Sequence, residues 1–274
     1  MEIKFISGTT KNVTGENLGD ALIHLVENGE SLIGLDLSGS MESERDFRYA
    51  IMNNSDFRCS LMEYSDFRNS TLIRSNFENA RLENSYFRGA DLSYSTMHNG
   101  ILNDVDFRNA NLRNVDFSGA DLHYADFRGA NLEGANFHCA NLEGANFHCA
   151  NLQGVDFSFS DMTETCLDMV NSCNANFYKS NLMGAFFNST LFIRSIFDCA
   201  NMKNARISPG SDFSFSSFLG VINMPNFDSV KMDGVDFGDI DYPEPEPARR
   251  PPEKNIKTTI RHPQPAKKIV AKND

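Results

Sequence analysis

Residues 126–151 read DFRGANLEGANFHCANLEGANFHCAN. The stretch repeats every five residues, and ANLEGANFHC occurs twice in succession, at 130–139 and 140–149. Let i be the large apolar residue of each pentad, here Phe127, Leu132, Phe137, Leu142 and Phe147. The same phase holds from Leu37 to Ile207 without insertion or deletion, and every i residue is Leu, Phe, Met or Ile except Glu42 and Ser172. Position i−2 is Ala, Ser, Thr, Val or Gly except at Leu35 and Arg45, and position i−1 is mostly Asp or Asn in the middle of the run. A period of five suits neither a helix, with its 3.6-residue period, nor a long strand, with its period of two. Within one pentad, however, i−2 and i can point to one side as in a short strand. The chain must then turn at i+1 and i+2, and i+2 is rich in Asn and Gly, the residues that best tolerate turn conformations. A short strand and a turn, repeated, make a coil with i−2 and i inside.

The pentad Ala140-Asn141-Leu142-Glu143-Gly144 fits A-(D/N)-(L/F)-x-x, and on this motif roughly residues 35–240 resemble the pentapeptide-repeat family. The resemblance implies an all-β solenoid, a right-handed quadrilateral β-helix with four pentads in each coil of twenty residues. With four sides per coil, the alternation of Phe with Leu or Met puts Phe on two opposite sides. One would stack Phe47, Phe67, Phe87, Phe107, Phe127 and Phe147, the other Phe57, Phe77, Met97, Phe117, Phe137 and Phe157. Coils spaced by about 4.8 Å would bring these rings to aromatic contact and give a solenoid about 40 Å long.

Four segments depart from the pattern. Residues 1–34 are expected to form a small α/β cap: a strand at Glu2–Ile6, then an amphipathic helix over Asn17–Asn28 with Leu18, Ala21, Leu22, Leu25 and Val26 on one face and Gly29 as its stop. Such a cap would cover an open β-helix end that otherwise invites polymerisation. Glu42 and Arg45, beside it, are expected to lean outward or pair with it. Ser172 and Cys166 interrupt the pattern over 167–180, where a bulge or bend is expected. Beyond Ile207 the phase breaks in SPGSDFSFSSFLGVINMP and returns at Ile222, so residues 208–221 are expected to project as a loop carrying Phe213, Phe215 and Phe218. Residues 241–274 are Pro-rich and basic, a composition expected to be extended or disordered.

The chain's net charge of −12 divides into +3 for residues 241–274 and −15 for the rest. No run of about 18 apolar residues suggests a membrane span, and the first residues lack a signal-peptide core. Six cysteines without framework spacing then point to reduced thiols in the cytoplasm, with a secreted effector left open. No catalytic constellation, phosphate loop or cofactor motif is present. His138-Cys139 and His148-Cys149 suggest a metal, but ten residues is half a coil and places the pairs on opposite sides. No cysteine has another twenty residues away, so no metal site is expected.

The one ordered surface feature is D-F-R at 46–48, 66–68, 106–108 and 126–128, with Tyr86-Phe87-Arg88 in series. It places Arg48, Arg68, Arg88, Arg108 and Arg128 in one outward ladder beside an Asp ladder, a self-compensated face or a groove for an anionic partner. The functional expectation is a non-enzymatic protein-interaction scaffold of bacterial or phage origin, with the arginine ladder and the three phenylalanines as its candidate surface. The alternative draws on the resemblance: some members of the family mimic B-DNA and bind DNA gyrase or topoisomerase. Direct nucleic-acid contact is expected only weakly, through the basic tail. The oligomeric state stays open, a homodimer included.

Overall fold

Most pentads meet their backbone hydrogen-bonding needs in the same way, and one pentad shows how. Asp126 bridges Asp106 in the preceding turn of the chain and Asn146 in the next, both in parallel register. Its N–H donates to the Val105 carbonyl at 2.9 Å; the Phe127 N–H donates to Asn146 at 2.8 Å; the Gly129 N–H donates to His148 at 3.0 Å. The Ala130 N–H closes a turn onto the Phe127 carbonyl at 2.9 Å. Hydrogen bonds along the axis thus replace those of a conventional sheet, so each pentad needs only one bridging residue and two turn residues. The bridges join residues twenty apart from Asp36↔Asp56 to Asn181↔Asn201 without interruption, which makes four pentads per coil. The computed structural model describes residues 2–13 and 18–238 of the chain.

The interior is filled by the i residues. Phe47, Phe67, Phe87, Phe107, Phe127 and Phe147 are fully buried, with centroid spacings of 5.0, 4.7, 5.3, 5.1 and 4.8 Å along the stack. The opposite stack runs through Phe117, Phe137, Phe157, Phe177 and Phe197 at 4.9, 5.1, 5.1 and 4.7 Å. The two stacks also meet edge to face, as in Phe127–Phe137 at 5.7 Å and 89°, a contact that column spacing alone does not reveal. Each such pair adds about 0.5–1.5 kcal/mol beyond its area burial. Many small i−2 residues are serine, and their buried hydroxyls donate to backbone carbonyls, Ser60 to Phe57 at 2.7 Å and Ser75 to Met52 at 2.9 Å.

At the N-terminal side, β1 (Glu2–Lys4) and β2 (Thr10–Asn12) form an antiparallel hairpin. Phe5 bridges Leu35, and the Lys4 carbonyl accepts the Asp36 N–H at 3.0 Å, so this segment occupies backbone groups of the first coil. Helix α1 (Leu18–Glu27) buries Ala21, Leu22 and Leu25. It ends where Gly29, at φ +69°, and Glu30 donate to the Val26 and Leu25 carbonyls. Glu42 is buried and ion-paired to Arg45 at 3.0 Å, and the Arg45 side chain lies against Gly19 of α1 so closely that a Cβ there would overlap it. Coil stacking starts one pentad before residue 35: Leu32 is buried, and its N–H reaches Ile51 at 2.8 Å.

Two expectations need correction. No bulge interrupts 167–180, because Asn151↔Asn171↔Leu191 and Cys166↔Phe186 stay in register. Ser172 is buried, and Phe192 in the next coil supplies a ring that packs 5.6 Å from Phe177 and 5.4 Å from Phe187.

Nor do residues 208–221 project as a loop. The short strands β3 (Phe186–Phe187) and β4 (Arg206–Ile207) pair in parallel, and the chain then takes in one extra residue at Ser208-Pro209-Gly210. Leu191 accordingly bridges Asp212, and Ile196 bridges Ser217, twenty-one residues apart. The extra residue is taken out again before Phe227, around Pro225, so Asp212↔Lys231 and Ser217↔Asp236 are nineteen apart. Phe213 and Phe218 are therefore fully buried core residues, stacked on Phe192 and Phe197 at 4.9 and 4.8 Å. Ile222, expected inside, bridges Asn201 and is exposed. The expected tail, 241–274, lies outside the described residues.

Candidate functional site

The side of the coil stack that carries Phe127 presents three outward columns, at i−1, i+1 and i+2. Position i+2 takes positive φ throughout, for Asn109 at +56° and Cys149 at +60° as for Gly129 at +68°, the arrangement a type II turn requires. This fixed turn holds i−1 and i+1 beside one another on the outer surface. The sequence fills these two columns with Asp and Arg, and the geometry pairs them.

Asp46–Arg48, Asp66–Arg68, Asp106–Arg108 and Asp126–Arg128 are ion pairs at 2.6, 2.5, 2.6 and 2.5 Å. Each Asp also accepts the Arg backbone N–H at 3.0–3.1 Å, so the carboxylate closes the turn as well as holding the guanidinium. Arg48 reaches on to Asp66 at 3.7 Å and Arg108 to Asp126 at 3.6 Å, linking successive coils. The hydrogen bond from Arg48 holds Asp46 below the usual carboxylate range. Burial pushes Asp106 up, but its bonds to Arg108 and that charge outweigh burial and leave it lowered. Asp56 and Arg58 make the same pair at 2.6 Å on the opposite side, a fifth D-F-R outside the ladder.

The ladder is broken at Arg88, where Tyr86 stands in place of the carboxylate. Arg68 lies 5.8 Å from the Tyr86 ring centroid. Arg88 is exposed, makes no ion pair among the described residues, and acts on Asp106 only through its charge. Arg88, Arg108, Arg128 and His148 line a shallow depression of about 340 Å³. A second, acidic depression of about 480 Å³ lies on another side around Glu44, Glu63 and Glu83, with Arg81 held by Glu63 at 3.2 Å and Glu83 at 2.7 Å.

Of the three candidate phenylalanines only Phe215 reaches the surface, 62% exposed at an i+2 position with its ring over Gly234. Phe213 and Phe218 are withdrawn from the candidate surface by their burial.

Where the arginine column ends, its chemistry changes. The i+1 column continues as His148 and Asp168, and Cys166 occupies i−1. The ligating atoms of His148, Cys166 and Asp168 lie within 4.8 Å of one another, all three residues half-buried. Burial pushes the Cys166 thiol up, and the Asp168 carboxylate adds to the shift. The expectation of no metal site rests on comparing cysteines with cysteines twenty residues apart. The structure instead joins three different residue types across one coil step. The twenty-residue spacing from His148 to Asp168 is the signal in the sequence that points to them.

The family model described as "Pentapeptide repeat region" matches residues 70–147, and that described as "Pentapeptide repeats (8 copies)" matches residues 135–171 and 174–208. No curated protein matches the chain. Among solved structures, trypsin-treated QnrB1, described as a plasmid-mediated fluoroquinolone resistance protein, is similar at 18% identity. That match covers 62% of this chain and 87% of QnrB1 with a TM-score of 0.47. HetL, a pentapeptide repeat protein involved in heterocyst differentiation regulation from the cyanobacterium Nostoc sp. strain PCC 7120, is similar at 20% identity, over 81% of this chain and 95% of HetL, with a TM-score of 0.43. Likenesses of this strength say nothing about function.

Proposed function

We propose, from the premise that this chain belongs to the pentapeptide-repeat family and folds as a β-helix solenoid, that it is a non-enzymatic protein-interaction scaffold. One observation carries this reading: the i residues consume the interior. Phe, Leu and Met at i are almost all fully buried, ring against ring, so the space inside the coils is not available to a ligand. What the repeat offers to other molecules is its outside, flat columns of side chains at a fixed step of about 4.8 Å on a rigid backbone. The face from Arg48 to His148 is the most ordered of these. Its paired carboxylates hold each guanidinium in place, and Arg88 leaves one cation available to an acidic group of a partner protein. The working compartment on this reading is the cytoplasm, where exposed thiols such as Cys59, Cys139 and Cys149 stay reduced.

A second reading is mimicry of DNA towards gyrase or topoisomerase. It is favoured by the acidic charge of −15 over residues 1–240. The Asp–Arg pairs also remove an objection to it, because four of the five ladder arginines are neutralised in place.

The test is a pull-down from bacterial lysate with the full chain, a chain ending at Ile240, and full-length Arg88→Glu, read by mass spectrometry. The scaffold reading expects a partner that Arg88→Glu loses. Recovery of gyrase or topoisomerase subunits by all three proteins would replace it with mimicry. A partner kept by Arg88→Glu but lost with residues 241–274 would move the function to the tail and reduce the solenoid to a spacer.

A further inference from the structure

The repeat departs from its own pattern twice within one pentad, and both departures meet the same histidine. Position i−1 carries Asp or Asn in five of the six preceding coils of this side but Cys at 166; position i+1 carries Arg in five coils, then His148, then Asp168. His148 and Asp168 are successive members of one column. Cys166 and Asp168 flank Leu167 on the same outward surface, so the three side chains converge, their ligating atoms within 4.8 Å of one another.

We propose that His148, Cys166 and Asp168 form a binding site for a divalent zinc-like metal ion. The donor set is one imidazole, one thiolate and one carboxylate. Soft and borderline donors of this kind suit zinc or cobalt, whereas magnesium and calcium favour oxygen alone. At bond lengths of about 2.0–2.3 Å and tetrahedral angles, the donor atoms would stand roughly 3.3–3.8 Å apart. The triad therefore has to close by about 1 Å, within the reach of side-chain rotation. Three protein ligands leave a fourth position for water or a donor from a partner.

The surroundings are built to hold these ligands. The Phe147 N–H donates to the Cys166 carbonyl at 2.8 Å and the Cys149 N–H to the Asp168 carbonyl at 3.0 Å, which locks the two coils together at the site. Oδ1 of Asp168 accepts the Asn188 backbone N–H at 2.9 Å and its Nδ2 at 2.7 Å, fixing the carboxylate with Oδ2 free of these bonds, as outer-shell partners of metal ligands do. The nearest cationic side chain in the column, Arg128, is held by Asp126 at 2.5 Å, which offsets its repulsion of a metal ion.

The chain also contains its own control. His138-Cys139 sits in a pentad identical to that of His148-Cys149, but the coil beyond it supplies Asp156 and Ser158, and the His138 ring is engaged by the Ser158 hydroxyl at 2.9 Å. The same local sequence thus meets a ligand set in one place and not in the other.

The test is cobalt(II) titration of the reduced full-length chain, followed by visible and near-ultraviolet absorption. Parallel titrations use Cys166→Ser, His148→Ala, Asp168→Asn, His138→Ala and Cys139→Ser. The expected result is one equivalent of tetrahedral cobalt with a thiolate charge-transfer band. That band is lost in Cys166→Ser, affinity falls at least tenfold in His148→Ala and Asp168→Asn, and neither changes in His138→Ala or Cys139→Ser. A native chain without a thiolate band, or a band that survives Cys166→Ser, would overturn the proposal, as would equal losses in the His138 and Cys139 variants. Thermal unfolding of each variant without metal separates loss of ligand from loss of fold, and the paired substitutions at Cys166 and Asp168 keep the proposal open to refutation if one of them does not fold.

Discussion

At the scale of single residues, the turn position i+2 sets the strictest condition, since a Cβ at φ near +60° costs roughly 1–2 kcal/mol. The fold accepts that cost at Tyr124, Cys149, Glu164 and Lys179 and avoids it at Gly144. A Cβ on Gly144 would also come within 2.5 Å of the Tyr124 ring one coil earlier. Gly144→Ala is expected to lower stability by about 1–2 kcal/mol, and Glu164→Gly to raise it by about 0.5–1 kcal/mol, both read as shifts in Tm. The ion pairs give a pH signature. Asp106 has its folded pKa below the ordinary value of 3.8, so its pairing stabilises the protein above about pH 4 and that contribution is lost as pH falls through the folded pKa. Native protein and Arg108→Gln should therefore differ in Tm at neutral pH, by less than about 1 kcal/mol in stability. The difference should close as pH falls below about 4. A difference that widened in acid would contradict the pairing. These residue-scale features are legible from period and residue type: Asn and Gly at i+2 announce the turn, and D-F-R announces the pairs. The proposed metal triad is legible only once the coil step is known: Cys166 and Asp168 flank Leu167 in one pentad, but His148 joins them only across a twenty-residue step.

At the scale of the pentad and the coil, the large apolar side chains at i contribute more to stability than the exposed side chains do. Phe127 touches Phe107 and Phe147 in its own stack and Phe117 and Phe137 edge-on. Phe127→Ala should cost about 3–5 kcal/mol, whereas Phe215→Ala, which removes an exposed ring, should cost less than about 1 kcal/mol. Circular dichroism melts of the two variants decide this, and equal losses would refute the burial pattern. The contrast also shows why residues 208–221 look like a loop in the sequence. The triplets Ser211-Asp212-Phe213 and Ser216-Ser217-Phe218 are ordinary i−2, i−1, i sequences displaced by one residue. A rigid five-residue frame reads such a displacement as the end of order. The molecule absorbs it at Pro209-Gly210, because the hydrogen bonds between coils fix the bridging residue and leave the turn free to lengthen. Ser172 misleads for a similar reason, since the volume missing from one coil is made up by Phe192 in the next.

At the scale of the whole coil stack, each coil hydrogen-bonds and packs only against its neighbours, so stability should be close to a sum over coils and interfaces. Function, on this account, belongs to side chains presented outside a filled core. The alternating Phe columns are readable from the sequence once four pentads per coil are assumed, and the ring distances bear that out. The coil step itself is the claim on which everything else stands, from the arginine ladder to the convergence of His148 with Asp168. The most direct measurement of it is thermal unfolding, by circular dichroism, of a chain lacking residues 126–145, compared with one lacking residues 126–142. Removing twenty residues takes out one whole coil and restores every column, so a single cooperative transition close to that of the native chain is predicted. Removing seventeen leaves the bridging residues out of phase, and the transition should broaden and fall steeply. If the twenty-residue deletion unfolded the protein as severely as the seventeen-residue one, the coil step would be wrong.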